Sequence, residues 1–348
     1  MSFFDNKKRY KCTLAFGVIL LMFVMVLSTT IGAADISFLD ALRIILKKIP
    51  LIRKFVGQDV VNDIYGVIVL NIRLPRIVAA AVIGMGLSVV GAAYQGMFGN
   101  PMADPYILGV SSGAALGASI AIIFASNKSV GGFSLVTLSA FVFALLTVFV
   151  VFSIAKSGSM VSNTHLLLAG VAVSFFATSL ISVMMIFNKE RIEKITFWMM
   201  GSTAYTTWKQ VMLLLPVVVL GTVTISFFAR DLNIISAGEK EAKSLGVEVG
   251  KVKRILLVIC SIIVASCVAV SGIIGFVGLI IPHTIRLIMG FDNRVVLPFS
   301  AAAGAIFLVL CDTIARAPTS EIPVGVLTAI FGAPYFISVL LRSKRKVN

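Results

Sequence analysis

The sequence predicts an all-α membrane protein that crosses a bilayer about ten times, and three observations carry that prediction. Of its 348 residues 59% are hydrophobic and only 13% are charged, about half the charged fraction that covers a water-soluble surface. Charge-free apolar runs long enough to cross the roughly 30 Å hydrocarbon layer recur along the chain. Lys and Arg cluster at both ends, with Lys7, Lys8, Arg9 and Lys11 before the first run and Arg342, Lys344, Arg345 and Lys346 after the last. A mean hydropathy of +1.04 excludes an ordinary soluble domain, and it excludes disorder, which needs low hydrophobicity and high charge. The net charge of +15 is not a nucleic-acid signature, because the 30 basic residues are scattered between apolar blocks and no basic run is interleaved with aromatics.

Taken in order, the predicted spans are residues 12–34, 77–103, 105–127, 129–155, 157–188 and 211–229, a pair within 255–285, a shorter run at 295–311, and 322–341. The stretch 255–285 is too long for one crossing. Gly272, Gly275, Gly278 and Pro282 punctuate it as a helix pair joined by a tight turn. Ten crossings put both basic termini on the cytoplasmic side, as the positive-inside rule requires. The first run follows a signal-like charged segment but lacks a convincing cleavage site, so it reads as an uncleaved span. The chain thus reads as one transmembrane domain, residues 1–348. It has a cytoplasmic N-terminus at 1–11, an outer loop at 35–63, a basic inner loop at 230–254 and a cytoplasmic C-terminus at 342–348. An amphipathic outer helix is expected near 41–55, with Leu42, Ile45, Leu46 and Ile49 on one side.

Cys12, Cys260, Cys267 and Cys311 lie in or beside predicted spans. They form neither a disulfide framework nor a CxxC metal site, and read as small apolar packing residues. Ion-coupled transporters carry ionisable groups at mid-membrane. Here Asp312, Arg286, His283 and His165 read as residues near helix ends instead. No Walker A loop is present, since GVEVGK at 246–251 is one residue short between its glycines and continues with Val252. A pump built on this chain therefore takes its energy from a partner. The inner loop offers the place, a short charged helix bearing Glu239, Glu241 and Ala242 that stops at Leu245 and Gly246, the glycine supplying a left-handed cap. Gly109, Gly113 and Gly117 in span 3, and Gly84, Ser88 and Ala92 in span 2, form small-residue stripes where helices can approach closely.

Residues 71–114 read NIRLPRIVAAAVIGMGLSVVGAAYQGMFGNPMADPYILGVSSGA. With HLLLAGVAVS from His165, FWMMGS from Phe197 and GIIGFVGLIIPHTIRLIMGFDNRVVLPFSAAAGA from Gly272, this stretch resembles the permease family of type II ABC importers for iron-siderophore, haem and cobalamin. The closing DTIAR and EIPVGVLTAIFGAPYFISVLLR extend the likeness to the C-terminus in collinear order.

The resemblance implies the fold of that permease and a non-catalytic subunit in a cell membrane, paired with a second copy or a paralogue. Two cytoplasmic ATPase subunits use ATP and Mg, and a substrate-binding protein docks outside; the chain itself binds no cofactor or metal. The residues Glu239, Glu241, Ala242, Leu245 and Gly246 match the pattern that seats in the ATPase. Arg73, Arg76 and Arg316 match arginines that face carboxylates of the binding protein, their other reading being interfacial snorkelling. Asn100 and Met102 match one side of the cytoplasmic gate, and Ser162, Asn163 and Thr164, in the turn before span 5, match the other. Gly170, Ser174, Thr178 and Ser182 at four-residue spacing are expected to line the pore or to pack on a neighbouring helix. Gly99, where many relatives carry an acidic or polar residue, and the long basic outer loop depart from the family pattern. The expected cargo is an iron-siderophore or related chelate, with haem, cobalamin and molybdate as alternatives within the family and an ion-coupled transporter as a more remote one.

Overall fold

A computed structural model describes residues 7–32, 34–48, 63–125, 129–130, 133–157, 160–161, 163–317 and 321–344. On the outer side of the first span, α1 (Lys7–Ser28) leads to α2 (Phe38–Lys47) and α3 (Asp63–Val67). A π-helical turn over Ile68–Arg73 then runs without a break into α4 (Leu74–Phe98). Ser37 caps α2 by accepting from the Asp40 amide at 3.1 Å, and Ala41 and Ile44 bury against Val69. The amphipathic outer helix therefore starts a turn earlier than expected and is described only as far as Lys47, residues 49–62 lying outside the described chain.

Beyond α4 come α5 (Val110–Ala125), a two-residue hairpin of β1 (Ser129–Val130) and β2 (Phe133–Ser134), and α6 (Leu135–Ala155). A second hairpin, β3 (Lys156–Ser157) with β4 (Met160–Val161), precedes α7 (Asn163–Phe187). Next are α8 (Ile192–Met199), α9 (Trp208–Phe227), α10 (Ala229–Ala237), α11 (Glu239–Ser244), α12 (Val249–Ser271), α13 (Val277–Met289), α14 (Asn293–Ala315) and α15 (Val324–Lys344). Seven described helices have the length and apolarity to cross a membrane, and α5, α13 and α15 are shorter apolar ones. Together they equal in number the ten predicted apolar runs.

Contacts along the helices fix their directions. Tyr10 meets Phe299 at one end of α1 and Ser28 meets Thr313 at the other, 2.6 Å apart, so α1 and α14 run the same way. Arg76 bonds Asp312 and Gly96 packs on Asn293, so α4 runs opposite to them, as the alternation of spans requires.

Two expected spans are not continuous helices. Residues 100–109 and 272–276 are non-helical, which leaves α13 about 20 Å long, short of the hydrocarbon thickness. The expected helix pair within 255–285 is present as α12 and α13, joined through 272–276. α12 is a full crossing, while α13 restarts at the level of Leu87 and Gly91 on α4, where Gly278 sits. Both helices pack on α4. The two irregular segments meet there: Tyr106 Oη donates to the Ile274 carbonyl at 2.8 Å and accepts from the Ile274 amide at 3.2 Å, while Pro105 covers Gly278. Phe276 holds a left-handed conformation, φ 68°, and its ring packs over Gly332 of α15.

α4 is buried almost throughout, and its small residues are the reason. A Cβ on Gly84 would stand 2.2 Å from the Gly304 carbonyl oxygen of α14, so backbone touches backbone at that crossing. In the same way, a Cβ on Gly113 of α5 would stand 2.0 Å from Thr147 Oγ1 of α6. Without a hydrophobic drive between helices in lipid, such close approach supplies the dispersion contacts that hold a bundle together.

Gly84→Leu should lower stability by about 1–3 kcal/mol or more through overpacking. Gly250→Ala, whose Cβ meets nothing within 4 Å, should stay within about 0.5 kcal/mol. Thermal unfolding of the detergent-solubilised protein checks both, and equal behaviour of the two variants would reject the crossing as a close contact.

Candidate functional site: an inner coupling helix and an outer arginine cluster

The inner loop is almost entirely helical. α10 buries Ala229, Leu232 and Ile235, and Gly238, φ 151°, turns the chain into α11. Gly246 is left-handed, φ 83°; its amide donates to the Lys243 carbonyl at 3.1 Å, and the Val247 amide to the Ala242 carbonyl at 3.0 Å. That pair of bonds is a Schellman cap, which satisfies carbonyls at the helix end and stops α11 after six residues. Ala242 faces inward at 0% exposure while Leu245 is 71% exposed, and Glu239 and Glu241 are exposed. Lys253 Nζ on α12 holds Glu239 Oε1 at 2.5 Å. The five residues that the sequence singles out thus form one capped, outward-facing element strapped to a full crossing.

At the outer end the three arginines take a direction that the sequence does not predict. Arg73, Arg76 and Arg316 are 6%, 5% and 6% exposed, and each guanidinium turns into the fold. Arg73 donates to the carbonyls of Thr29 at 2.7 Å and Ala34 at 2.7 Å, gathering the link between α1 and α2. Arg76 Nε donates to Asp312 Oδ1 at 2.8 Å and Nη1 to Glu321 Oε1 at 3.0 Å. Arg316 Nη2 donates to the Ser28 carbonyl at 2.5 Å and to Ser28 Oγ, and its Nε lies 3.6 Å from Asp312 Oδ2. The Thr203 hydroxyl also donates to Asp312, which is 0% exposed. None of the three reaches outward as a snorkelling side chain would. Arg76 Nη2 and Arg316 Nη1 are buried donors without a partner among the described residues.

The remaining expectations divide. Asn100 and Met102 are exposed in the turn after α4, where Asn100 Oδ1 accepts from the Met102 amide at 2.9 Å. Asn163 and Thr164 belong to the first turn of α7 rather than to a preceding turn, and Ser162 lies outside the described residues. Of the four-residue stripe on α7, Gly170 is buried against the Ile107 carbonyl and Ser174 Oγ accepts from Ser112 Oγ at 3.1 Å. Those two pack on the irregular segment before α5 and on its first turn. Thr178 and Ser182 stay exposed, with their hydroxyls bonded back to the carbonyls of Ser174 and Thr178. A cavity of about 700 Å³ at the outer end is lined by Lys194, Trp198, Tyr205, Gln210 and Ser271 among others, with no contribution from α7. Cys260, Cys267 and Cys311 are buried and unpaired, as small packing residues should be.

A polytopic helical bundle with a short capped helix on its inner face and a charged, tightly bonded outer rim is the architecture of a membrane permease. The FecCD transport family model matches residues 20–342, and the chain belongs to that family of ABC importer permeases. It is 46% identical to the cobalamin import system permease protein BtuC of Halobacterium salinarum over 274 residues, 79% of this chain and 73% of that protein. It is 36% identical to the hemin transport system permease protein HmuU of Yersinia pestis over 98% of this chain and 99% of that one. A structure solved as an inward-facing conformation of a metal-chelate type ABC transporter superposes with a TM-score of 0.81 at 31% identity, covering 95% of this chain and 99% of that chain. In this family the permease is a multi-pass membrane subunit, and ATP hydrolysis belongs to a separate one.

Asp312→Asn should destabilise the protein by about 3–5 kcal/mol, because it leaves Arg316 buried without its anion and Arg76 with only the half-exposed Glu321. Glu321→Gln, at a half-exposed position, should cost under about 1 kcal/mol. Unfolding of the two variants side by side tests the ranking, and a small loss for Asp312→Asn would refute it.

Proposed function

We propose that the chain, as one of two permease copies or paralogues, moves an intact metal chelate into the cytoplasm, an iron-siderophore in the first instance. Two cytoplasmic ATPase subunits burning ATP with Mg supply the work through α11, and an extracytoplasmic binding protein delivers the cargo. The observation that carries this reading is α11 itself: six residues, capped at a left-handed glycine, presenting Leu245 and Glu241 outward and strapped to α12 through Glu239 and Lys253. A rigid, exposed element of that size is suited to seating in a cleft of another protein and passing a displacement on.

The chelate reading draws on α7. From Asn163 to Phe187 it contains no Asp, Glu, Lys or Arg, and its outer face exposes Phe175, Phe176, Thr178 and Ser182. A wall of weak, uncharged contacts suits a cargo whose metal is already held by its own ligands. Its path would be completed by the same face of the second copy, with Asn100, Met102, Asn163 and Thr164 narrowing the inner end. Haem and cobalamin, the cargoes named for the two relatives above, have the same character of a metal enclosed in a large organic ligand. On the outer side, Arg76 and Arg316 would serve a partner's carboxylates, which guanidinium forks favour, once docking draws the buried guanidiniums outward.

Reconstituted vesicles holding the permease, its ATPase and its binding protein should take up ferric hydroxamate in an ATP-dependent manner, with haem, cobalamin and molybdate run in parallel. Glu241→Arg combined with Leu245→Arg should reduce ATPase co-purification about tenfold or more, the effect of losing central interface residues. Uptake that continues without the ATPase and collapses with an ionophore would overturn the reading in favour of ion coupling.

A further inference from the structure

The base of the coupling loop carries a second set of polar contacts that the sequence motifs do not reveal. On α10, Asn233 uses its whole amide: Nδ2 donates to Asp292 Oδ1 at 2.7 Å, and Oδ1 accepts from the Asn293 amide at 2.7 Å and from Asn293 Nδ2 at 2.8 Å. Asn293, at 0% exposure, passes the chain of bonds onward. Its Oδ1 accepts from Arg286 Nη2 on α13 at 2.9 Å. The same Nη2 donates to the Ala92 carbonyl of α4 at 3.0 Å, and Nη1 to the Phe291 carbonyl at 3.3 Å. Four helices, α10, α14, α13 and α4, are thereby joined in one unbroken series. Gly96 of α4 packs directly over Asn293, so no side chain intervenes.

Two features suit this series to motion rather than to bracing alone. All three acceptors of Arg286 are neutral oxygens, so the guanidinium can change carbonyl without separating an ion pair. Its Nε is buried and has no partner among the described residues, which leaves a donor for a second arrangement. At the α10 end the joint is fixed instead. Arg294 clamps Asp292 through Nε and Nη2, at 3.0 and 2.6 Å. Burial pushes the Asp292 carboxyl up, but the bonds from Arg294 and Asn233 outweigh it and hold the group below its usual range. One end of the series is therefore a firm ionic anchor beside the coupling helix. The other is an exchangeable contact on the most buried helix of the bundle.

We propose that Asn233, Asn293 and Arg286 are positioning residues that carry displacement of α11 to α4 and to the turn at Asn100 and Met102 that follows it. The inference rests on reading α11 as the ATPase contact. The experiment uses the full permease–ATPase complex with Cys12→Ala and a Met102→Cys reporter, labelled by a membrane-impermeant maleimide with and without ATP and vanadate. In that parent, ATP should change the labelling rate about fivefold, and Asn233→Asp, which sets a carboxylate against Asp292, should reduce the change to under about twofold. ATPase co-purification and hydrolysis should survive in that variant. Adding Asp292→Asn removes the opposed carboxylates and supplies an amide donor between the two positions, though it gives up an acceptor of Arg294, and should recover at least part of the change. A full ATP response in Asn233→Asp, no response in the parent, or a loss that the exchanged pair does not rescue would overturn the proposal. Leu245→Arg keeps the two readings apart: if it retains the ATPase, the contact at α11 is wrong, whatever Asn233→Asp does.

Discussion

Inside a bilayer, a backbone amide or carbonyl that is not in a helix has no water to turn to, so non-helical chain persists there only where the protein itself supplies partners. Two segments of this chain, residues 100–109 and 272–276, impose that demand, and much of the architecture answers it. The Tyr106 hydroxyl takes both the amide and the carbonyl of Ile274, so each irregular segment becomes part of the other's solvent. Pro105 lies over Gly278 because a proline lacks an amide to satisfy and a glycine leaves room for its ring. Arg73 meets the same kind of demand at the outer rim, gathering the carbonyls of Thr29 and Ala34 where α1 ends, and Arg286 meets it at the inner end.

The close crossing of α4 with α14 follows from a second constraint. Lipid is as apolar as leucine, so burial alone gains little and contact geometry decides which helices associate. Gly84 and Gly304 let the two backbones touch, Gly91 does the same for α13, and Gly113 and Gly117 do it for α5 against α6. The helices with large exposed apolar residues, α1, α7 and α9, are those that border lipid or another chain. One hub helix with no bulky side chains at its crossings can hold α13 and α14 at once, and the spare volume of larger residues is pushed to the periphery.

Much of this was legible in the residues. Span number, helix direction and the capped inner helix all follow from charge-free runs, terminal lysines and the glycine after Leu245, because each of these signals is local. The breaks were half legible: glycines and Pro282 marked the stretch after Cys267, and Pro101 and Pro105 mark a break after Gly99, but Tyr106 to Leu108 give no local sign that it continues as far as Gly109. The direction of Arg73, Arg76 and Arg316 could not be read at all, since it is decided by Asp312 and by the carbonyls of α1, which are distant in sequence. The α7 stripe divided for a related reason. Spacing places Gly170, Ser174, Thr178 and Ser182 on one face, and only the approach of Ile107 and Ser112 reveals where along the helix that face ceases to be free. The series from Asn233 to Arg286 was missed because single asparagines carry no motif.

α11 is too short to be helical by its own hydrogen bonds, for a helix of that length is unstable in water without outside support. Its shape is lent to it by the turn at Gly238, by the cap at Gly246 and by a lysine on a neighbouring span. A peptide cut from residues 229–254 would therefore lose the surface even though it keeps every residue. A cytoplasmic ATPase that seats on that surface, as proposed, would recognise at the same time that the membrane bundle behind it has assembled, and a half-built permease would present it with nothing to grip.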